Sequence, residues 1–254
     1  LSTTTQYLSL KNKRVFITGG ASGIGAAMVR AFVEQGAYVA FIDIDQTAGE
    51  QLVNKLHDFT AQLCFQVVDV TKHNELVEAI SNATERLGGM DILINNVAND
   101  MRHRPQDVSP QDWQSCMQIN LDAAFYASQA VFAPMRKQKS GVIINFSSIN
   151  ALIGPKNMVG YTTAKAGLIG MTKSLAKDYG RYNIRVNAIL PGWIATDKQL
   201  ASYLSEHQEK QWMAAMAIKK RIEPSEVAKL AMFLSSDDSA MITGQSITID
   251  GGRT

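Results

Sequence analysis

Apolar residues follow two rhythms along the chain. Short continuous runs at 14–18, 38–42, 63–68, 92–95, 142–146, 184–190 and 246–249 are rich in Val, Ile and Phe. Continuous rather than alternating apolarity predicts strands covered on both faces, as in a parallel sheet. Between them, apolar residues recur at helical spacing over 26–35 (Met28, Val29, Phe32 and Val33), 75–87, 113–135, 161–179 and 225–235. Alternation of strand and helix predicts an α/β architecture with right-handed crossovers. The stretches 98–110 and 194–224 are predicted to be irregular. Loops of that length commonly cover a ligand, so 194–224 is expected to act as a substrate lid. No repeat, low-complexity tract or change of composition divides the chain, which reads as a single domain over 1–254.

Composition narrows the function classes. Of 254 residues, 46% are hydrophobic and 19% charged, which excludes a disordered chain. Lys plus Arg is 25 against 23 for Asp plus Glu, so no positive field grips nucleic acid. No apolar run approaches the ~18 residues of a membrane helix. Residues 1–11 are polar and lack the apolar centre of a secretory signal. Cys64 and Cys116 have no metal-site spacing and are expected to be reduced, buried thiols in a cytoplasmic protein. No metal is expected.

The stretch 18–25 reads Thr-Gly-Gly-Ala-Ser-Gly-Ile-Gly between the first strand and the first helix. Glycines let backbone approach a pyrophosphate, and the helix N-terminus offers free N–H groups. Gly19, Gly23 and Gly25 give G-x-x-x-G-x-G, which by itself also suits a plain tight turn. Asp43 ends the second strand. A carboxylate there accepts hydrogen bonds from both hydroxyls of an adenosine ribose and repels a 2′-phosphate. With no Arg or Lys in 19–25 or directly after Asp43, NAD is favoured over NADP.

Tyr161 and Lys165 are spaced i, i+4 in a helical stretch and share a face. A neighbouring ammonium favours the phenolate, so the tyrosine is expected to be more acidic than usual. Ser148 follows the fifth strand, where a parallel sheet presents ligands.

Together these residues resemble the short-chain dehydrogenase/reductase family. The resemblance runs from Lys13 to Gly252 and includes Asp69-Val70, Asn95-Asn96, Asn120, and 187–192 leading to Thr196. It implies a seven-stranded, doubly wound, Rossmann-type parallel sheet and a homotetramer. It implies a catalytic set of Asn120, Ser148, Tyr161 and Lys165. Tyr161 is then the general acid/base, and Lys165 binds the nicotinamide ribose and depresses the phenol pKa. Ser148 orients the substrate oxygen, and Asn120 holds a water behind Lys165. The implied cofactor contacts are Gly19, Ser22, Gly23, Ile24, Gly25, Asp43, Asp69, Val70, Asn96, Pro191, Ile194 and Thr196, with Tyr161 and Lys165. Two positions depart from the family pattern: Ala98 and Ile222 each stand where glycine is usual. The first is expected to shift the turn beside the cofactor, the second to alter the segment closing the lid.

The polar run 99–103, Asn-Asp-Met-Arg-His, resembles that of a subgroup oxidising free aldoses at C1, such as xylose, arabinose and galactose 1-dehydrogenases. A sugar site needs convergent polar groups, because each hydroxyl buried unpaired costs ~1–3 kcal/mol. Asn99, His103, Asn150, Asn157 and Trp193 are the candidates to join Ser148 and Tyr161 there. Met158, beside Tyr161, would instead line an apolar pocket, and Trp212, Met213 and Met216 read as lid core. Two other functions fit less well: an NAD(P)-dependent reductase of 3-oxoacyl or other ketones, which Asp43 opposes, and a non-catalytic nucleotide-binding module, which the complete catalytic set opposes.

Overall fold

The computed structural model describes residues 5–202 and 206–254. Its seven strands are β1 (Arg14–Thr18), β2 (Tyr38–Asp43), β3 (Leu63–Val67), β4 (Ile92–Asn95), β5 (Gly141–Phe146), β6 (Ile184–Pro191) and β7 (Ser246–Ile249). They form one parallel sheet in the order β3-β2-β1-β4-β5-β6-β7. The chain winds outward from β1 to β3, then returns to β4 on the other side of β1. The carboxyl ends of β1 and β4 therefore flank a crevice, the usual ligand position in such sheets.

Ten helices complete the described fold: α1 (Gly23–Glu34), α2 (Gln46–Lys55), α3 (His73–Leu87), α4 (Pro110–Met117), α5 (Ala123–Gln138), α6 (Asn150–Ile153), α7 (Val159–Gly180), α8 (Asp197–Ser202), α9 (Glu206–Ala214) and α10 (Pro224–Ser235). Alternate residues of each strand face opposite layers. Val15, Ile17 and Ile144 pack with Met28 and Phe32 of α1 and Val227 and Met232 of α10. Phe16, Leu93 and Ile143 pack with Leu76 and Ile80 of α3, Val131 of α5 and Leu175 of α7. Central strands are buried on both faces, whereas the edge strands are not: Gln66 and Val67 of β3 are exposed. A terminal strand has a neighbour on one side only, so the expectation of full cover fails there.

Four departures from the predicted elements have local causes. Helix α1 begins at Gly23, inside the glycine turn. Helix α2 was not anticipated because its apolar positions are sparse. Asp45 starts it by accepting from Ala48 N at 2.9 Å, and Gly49 lets it lie on the Phe65 ring. The single helix expected over 113–135 is instead α4 and α5 joined by a π-helical turn, Gln118–Asp122. Finally, 194–224 is not irregular: it carries α8 and α9, and its ends are pinched together by a parallel bridge between Ile194 and Ile222.

Arg14 and Asp91 tie β1 to β4 at the end opposite the crevice. Arg14 Nε and Nη2 reach the two carboxylate oxygens at 2.7 Å each, and Arg14 N donates to Oδ2 at 2.9 Å. Burial opposes ionisation of Asp91, but the hydrogen bonds and charge of Arg14 hold its carboxyl below the usual range. A depressed carboxyl pKa stabilises the fold above the unfolded value, and that contribution fades as pH falls through the folded one. Asp91→Asn should therefore lower the melting midpoint by about 2–6 °C at pH 7, with the gap to wild type closing toward pH 3. Thermal melts across that range check it; a gap that widens in acid contradicts the assignment.

Candidate active site

A cavity of about 1070 Å³ opens at the crevice. Gly19, Ser22, Gly23, Ile24, Gly25, Asp43, Asp69, Val70, Asn96 and Thr196 line it, as does Asn99. Pro191 and Ile194, expected beside them, are buried. Arg30 of α1, Lys55 of α2 and Lys229 of α10 also line the cavity. Neither the glycine turn nor the neighbours of Asp43 in sequence announce these cations.

The glycine turn is built for close approach. Gly19 and Gly23 have φ of +66° and +52°, where a side chain is strained. A Cβ on Gly25 would lie 1.8 Å from the Gly19 carbonyl oxygen. Asn96 Nδ2 holds that oxygen at 2.9 Å, and Asn96 N donates to Thr18 Oγ1 at 3.0 Å. Asp43 Oδ2 accepts from Ala21 N at 3.0 Å and Oδ1 from Asp45 N at 3.1 Å, tying the turn to β2. A carboxylate has about four acceptor positions, so both oxygens keep capacity for a ligand. Ser22 caps none of the first N–H groups of α1 with its side chain, and no acid lies in the first turn. Free N–H groups and a positive helix end thus meet at the cavity wall, an arrangement that fits a dinucleotide pyrophosphate.

Beyond β5 and on α7 lies the second cluster. The Ser148 side chain lies close enough to Tyr161 to favour its ionised form. Lys165 is 1% exposed. Its Nζ donates to Phe146 O at 2.8 Å and sits 5.7 Å from the centroid of the Tyr161 ring. The expected acidification of the phenol is not found. Burial pushes Tyr161 up to about 12, Ser148 opposes this, and the charges of Asp100 and Cys116 add to it. Burial likewise pulls Lys165 down to about 7, with Cys116 opposing. In a dry site the neutral forms of both groups gain more than the ammonium can return to the phenolate.

Asn120 stands on the π-helical turn between α4 and α5 and is 2% exposed. Its Oδ1 accepts from Asn99 N at 2.9 Å, and its Nδ2 donates to Asn99 O and Cys116 O at 3.0 Å each. The side chain clasps the loop after β4, while Lys165 bonds to Phe146. An extra residue in a helical turn is a frequent device at functional sites, and here it carries the amide that does the clasping.

The expected substrate residues are brought together unevenly. Asn150 N donates to Ser148 Oγ at 3.1 Å, and its Nδ2 lies 3.8 Å from the sulfur of buried Met158. His103 N donates to Asn157 O at 2.9 Å, joining two loops. Trp193 Nε1 donates to Gln199 of α8 at 3.2 Å. Met216 is buried as lid core, and Ile222 is buried where it meets Ile194. Cys64 and Cys116 are free but half-buried rather than buried. Cys116 packs against Gly160, near enough to affect both Tyr161 and Lys165. Asn145, Ser147 and Thr172, described below, were also not anticipated. Two polar residues at alternate positions of an apolar strand were the signal that could have found the first two.

The family model described as Enoyl-(Acyl carrier protein) reductase matches residues 19–254. The probable galactose dehydrogenase of Rhizobium meliloti (strain 1021) is 40% identical over 249 residues, covering 98% of this chain and 97% of its own. D-xylose 1-dehydrogenase of Caulobacter vibrioides (strain NA1000 / CB15N) is 40% identical over 246 residues, 97% of each chain. A 3-oxoacyl-(acyl-carrier-protein) reductase of Chlamydia trachomatis is 37% identical over 244 residues, 96% of this chain and 98% of its own. The solved structure of a provisionally named short-chain alcohol dehydrogenase from Sinorhizobium meliloti 1021 superposes with a TM-score of 0.92 at 30% identity, covering 97% of this chain and 98% of that one. Because these likenesses take in both the glycine turn and the Tyr161 helix, the chain belongs to the short-chain dehydrogenase/reductase family.

Proposed function

We propose that this oxidoreductase is an NAD-dependent sugar 1-dehydrogenase that converts a free aldose to its aldonolactone. The observation that carries the reading is Tyr161 beside Ser148 with buried Lys165 placing its Nζ 5.7 Å from the centroid of the Tyr161 ring. A bound nicotinamide dinucleotide supplies the hydride acceptor and a positive charge. Ser148 and Tyr161 hold the anomeric hydroxyl, and the Tyr161 oxygen takes its proton as the C1 hydride departs. Lys165 holds the cofactor ribose and supplies the cation behind the phenol. Asn120 fixes the Asn99 loop and orders the water behind Lys165. Positioning supplies much of the acceleration.

Two relatives named for sugar oxidation at 40% identity support an aldose, as do the polar groups Asn150 beside Ser148 and Asn99 on the cavity wall. The 3-oxoacyl reductase relative and buried Met158 favour a second reading, reduction of a ketone. The complete Ser148, Tyr161 and Lys165 arrangement speaks against a non-catalytic nucleotide-binding module. The free cysteines fit a reducing compartment such as the cytoplasm. Exposed Phe125 and Met241 offer apolar surface to further copies in a homotetramer, which light scattering checks.

A panel of aldoses and ketones with NAD and NADP tests the reading. Aldose oxidation with NAD is expected, and turnover confined to ketones overturns it. Asp43 should set the cofactor preference: Asp43→Ala should narrow the preference for NAD over NADP by roughly tenfold, about 1.4 kcal/mol. Asp43→Asn keeps an acceptor for Ala21 and removes the charge alone. A wild-type preference for NADP, through Arg30, Lys55 or Lys229, contradicts the role given to Asp43.

A further inference from the structure

Three consecutive residues at the end of β5 and just past it hold the helix that carries Tyr161 and Lys165. Asn145 Nδ2 donates to Thr172 Oγ1 at 2.9 Å. Phe146 O accepts from Lys165 Nζ at 2.8 Å. Ser147 Oγ donates to Lys165 O at 2.7 Å. Asn145, Ser147 and Thr172 are all at least nine-tenths buried, so these bonds form away from water. The pattern follows from the pleat: Asn145 and, one residue past the end of β5, Ser147 turn toward α7, and Phe146 packs in the opposite layer. On α7, Lys165 and Thr172 are seven residues apart, two turns along one face. Beyond Phe146 the ladder continues, because Ser147 N donates to Ile189 O at 2.9 Å. The strand end is therefore rigid where it meets the helix. Asn145 Oδ1 accepts in turn from Asn95 Nδ2 at 2.9 Å, extending the network to β4.

We infer that Ser147, supported by Asn145 and Thr172, is a positioning residue that sets the height of α7 on β5 so that Lys165 stays bonded to Phe146 beneath the Tyr161 ring. Two attachment points, at Lys165 O and two turns further on, resist both sliding and rotation of the helix. Loss of the nearer one lets Lys165 Nζ draw away from its acceptor. A buried ammonium that loses an acceptor favours its neutral form, and the phenol then loses its cation. The other groups acting on this pair are Cys116 of α4, Asp100 of the loop after β4, and Ser148. Among the described residues, Lys165 Nζ donates to Phe146 O and to none of these groups, so none stands in for the Phe146 acceptor that Ser147 keeps in place.

The inference rests on the oxidoreductase reading of the same site, and its test separates the two. In Ser147→Ala the acid limb of the kcat/KM profile for aldose oxidation should move up by ~1 pH unit, giving roughly tenfold lower turnover at pH 7. Ser147→Thr, which keeps a hydroxyl, should restore the profile, and Thr172→Val should move it the same way as Ser147→Ala. NADH fluorescence titrations between pH 6 and 8 provide a readout without turnover. Affinity in Ser147→Ala should fall more steeply with pH than in wild type, because Lys165 loses its charge sooner. If wild type turns over no aldose, the sugar reading fails, and the NADH titrations alone decide the positioning role. Unmoved pH dependence in both Ser147→Ala and Thr172→Val, with any loss following only the melting midpoint, overturns it.

Discussion

Tyr161→Phe should lower turnover of any accepted alcohol by about 10²–10⁴-fold while leaving NADH affinity within about threefold of wild type. The ring stays, so the packing of α7 is kept and only the hydroxyl beside Ser148, with any hydrogen bond it makes, is lost. Removing such a bond changes stability by about 1 kcal/mol, far less than the fold resists. The effect should therefore fall on the chemical step. Because burial pushes the phenol up to about 12, the basic form is scarce near neutrality. Wild-type oxidation should thus climb with pH, by roughly tenfold per unit below the apparent pKa, and the Phe variant should lose that climb. Initial rates of NADH formation from pH 6 to 10 check both statements. A Phe variant that keeps wild-type turnover would remove Tyr161 from the mechanism.

Gly25→Ala should weaken NADH binding by roughly 10–100-fold, the range expected for about 1–3 kcal/mol of overpacking. The new methyl would lie 1.8 Å from the Gly19 carbonyl oxygen and 3.0 Å from the Asn96 Nδ2 that holds that oxygen. The obstacle is backbone, not the end of a flexible side chain, so the glycine turn itself must shift. That turn and the first N–H groups of α1 line the cavity, and moving them spoils the pyrophosphate cradle. Gly170→Ala is the matched control. Gly170 lies in α7 with nothing within 4 Å of an added Cβ, so alanine there should stabilise by about 0.5–1 kcal/mol. NADH titrations and thermal melts of both variants decide the matter. Equal cofactor affinity in Gly25→Ala and wild type contradicts the cradle.

Much of the fold was legible because its signals are local. Each of the seven apolar runs became a strand within a residue or two of its predicted bounds. The core helices showed the 3.6-residue period that burial of one face requires. Helix α2 escaped notice because it turns mostly polar residues outward, and its start rests on one Asp45 cap. Helices α8 and α9 escaped for a related reason: Trp212 of α9 packs against the core, but both helices are mostly polar and carry little periodicity. The π-helical turn at Asn120 has no compositional mark, since the amide contacts that accompany it come from Asn99, 21 residues away.

Sequence alone determined the parallel sheet, the glycine turn opening α1, the acid ending β2, and a tyrosine and lysine sharing a helical face. All of these follow from spacing and from the conformations each residue type permits. Tertiary structure decided the rest. It brought Arg30, Lys55 and Lys229 to the cavity that Asp43 lines. It joined Asn145 and Ser147 to α7. It also reversed the expected direction of the Tyr161 shift. Spacing shows which charges are near one another, but desolvation depends on everything packed around them, and at this site desolvation is the larger effect.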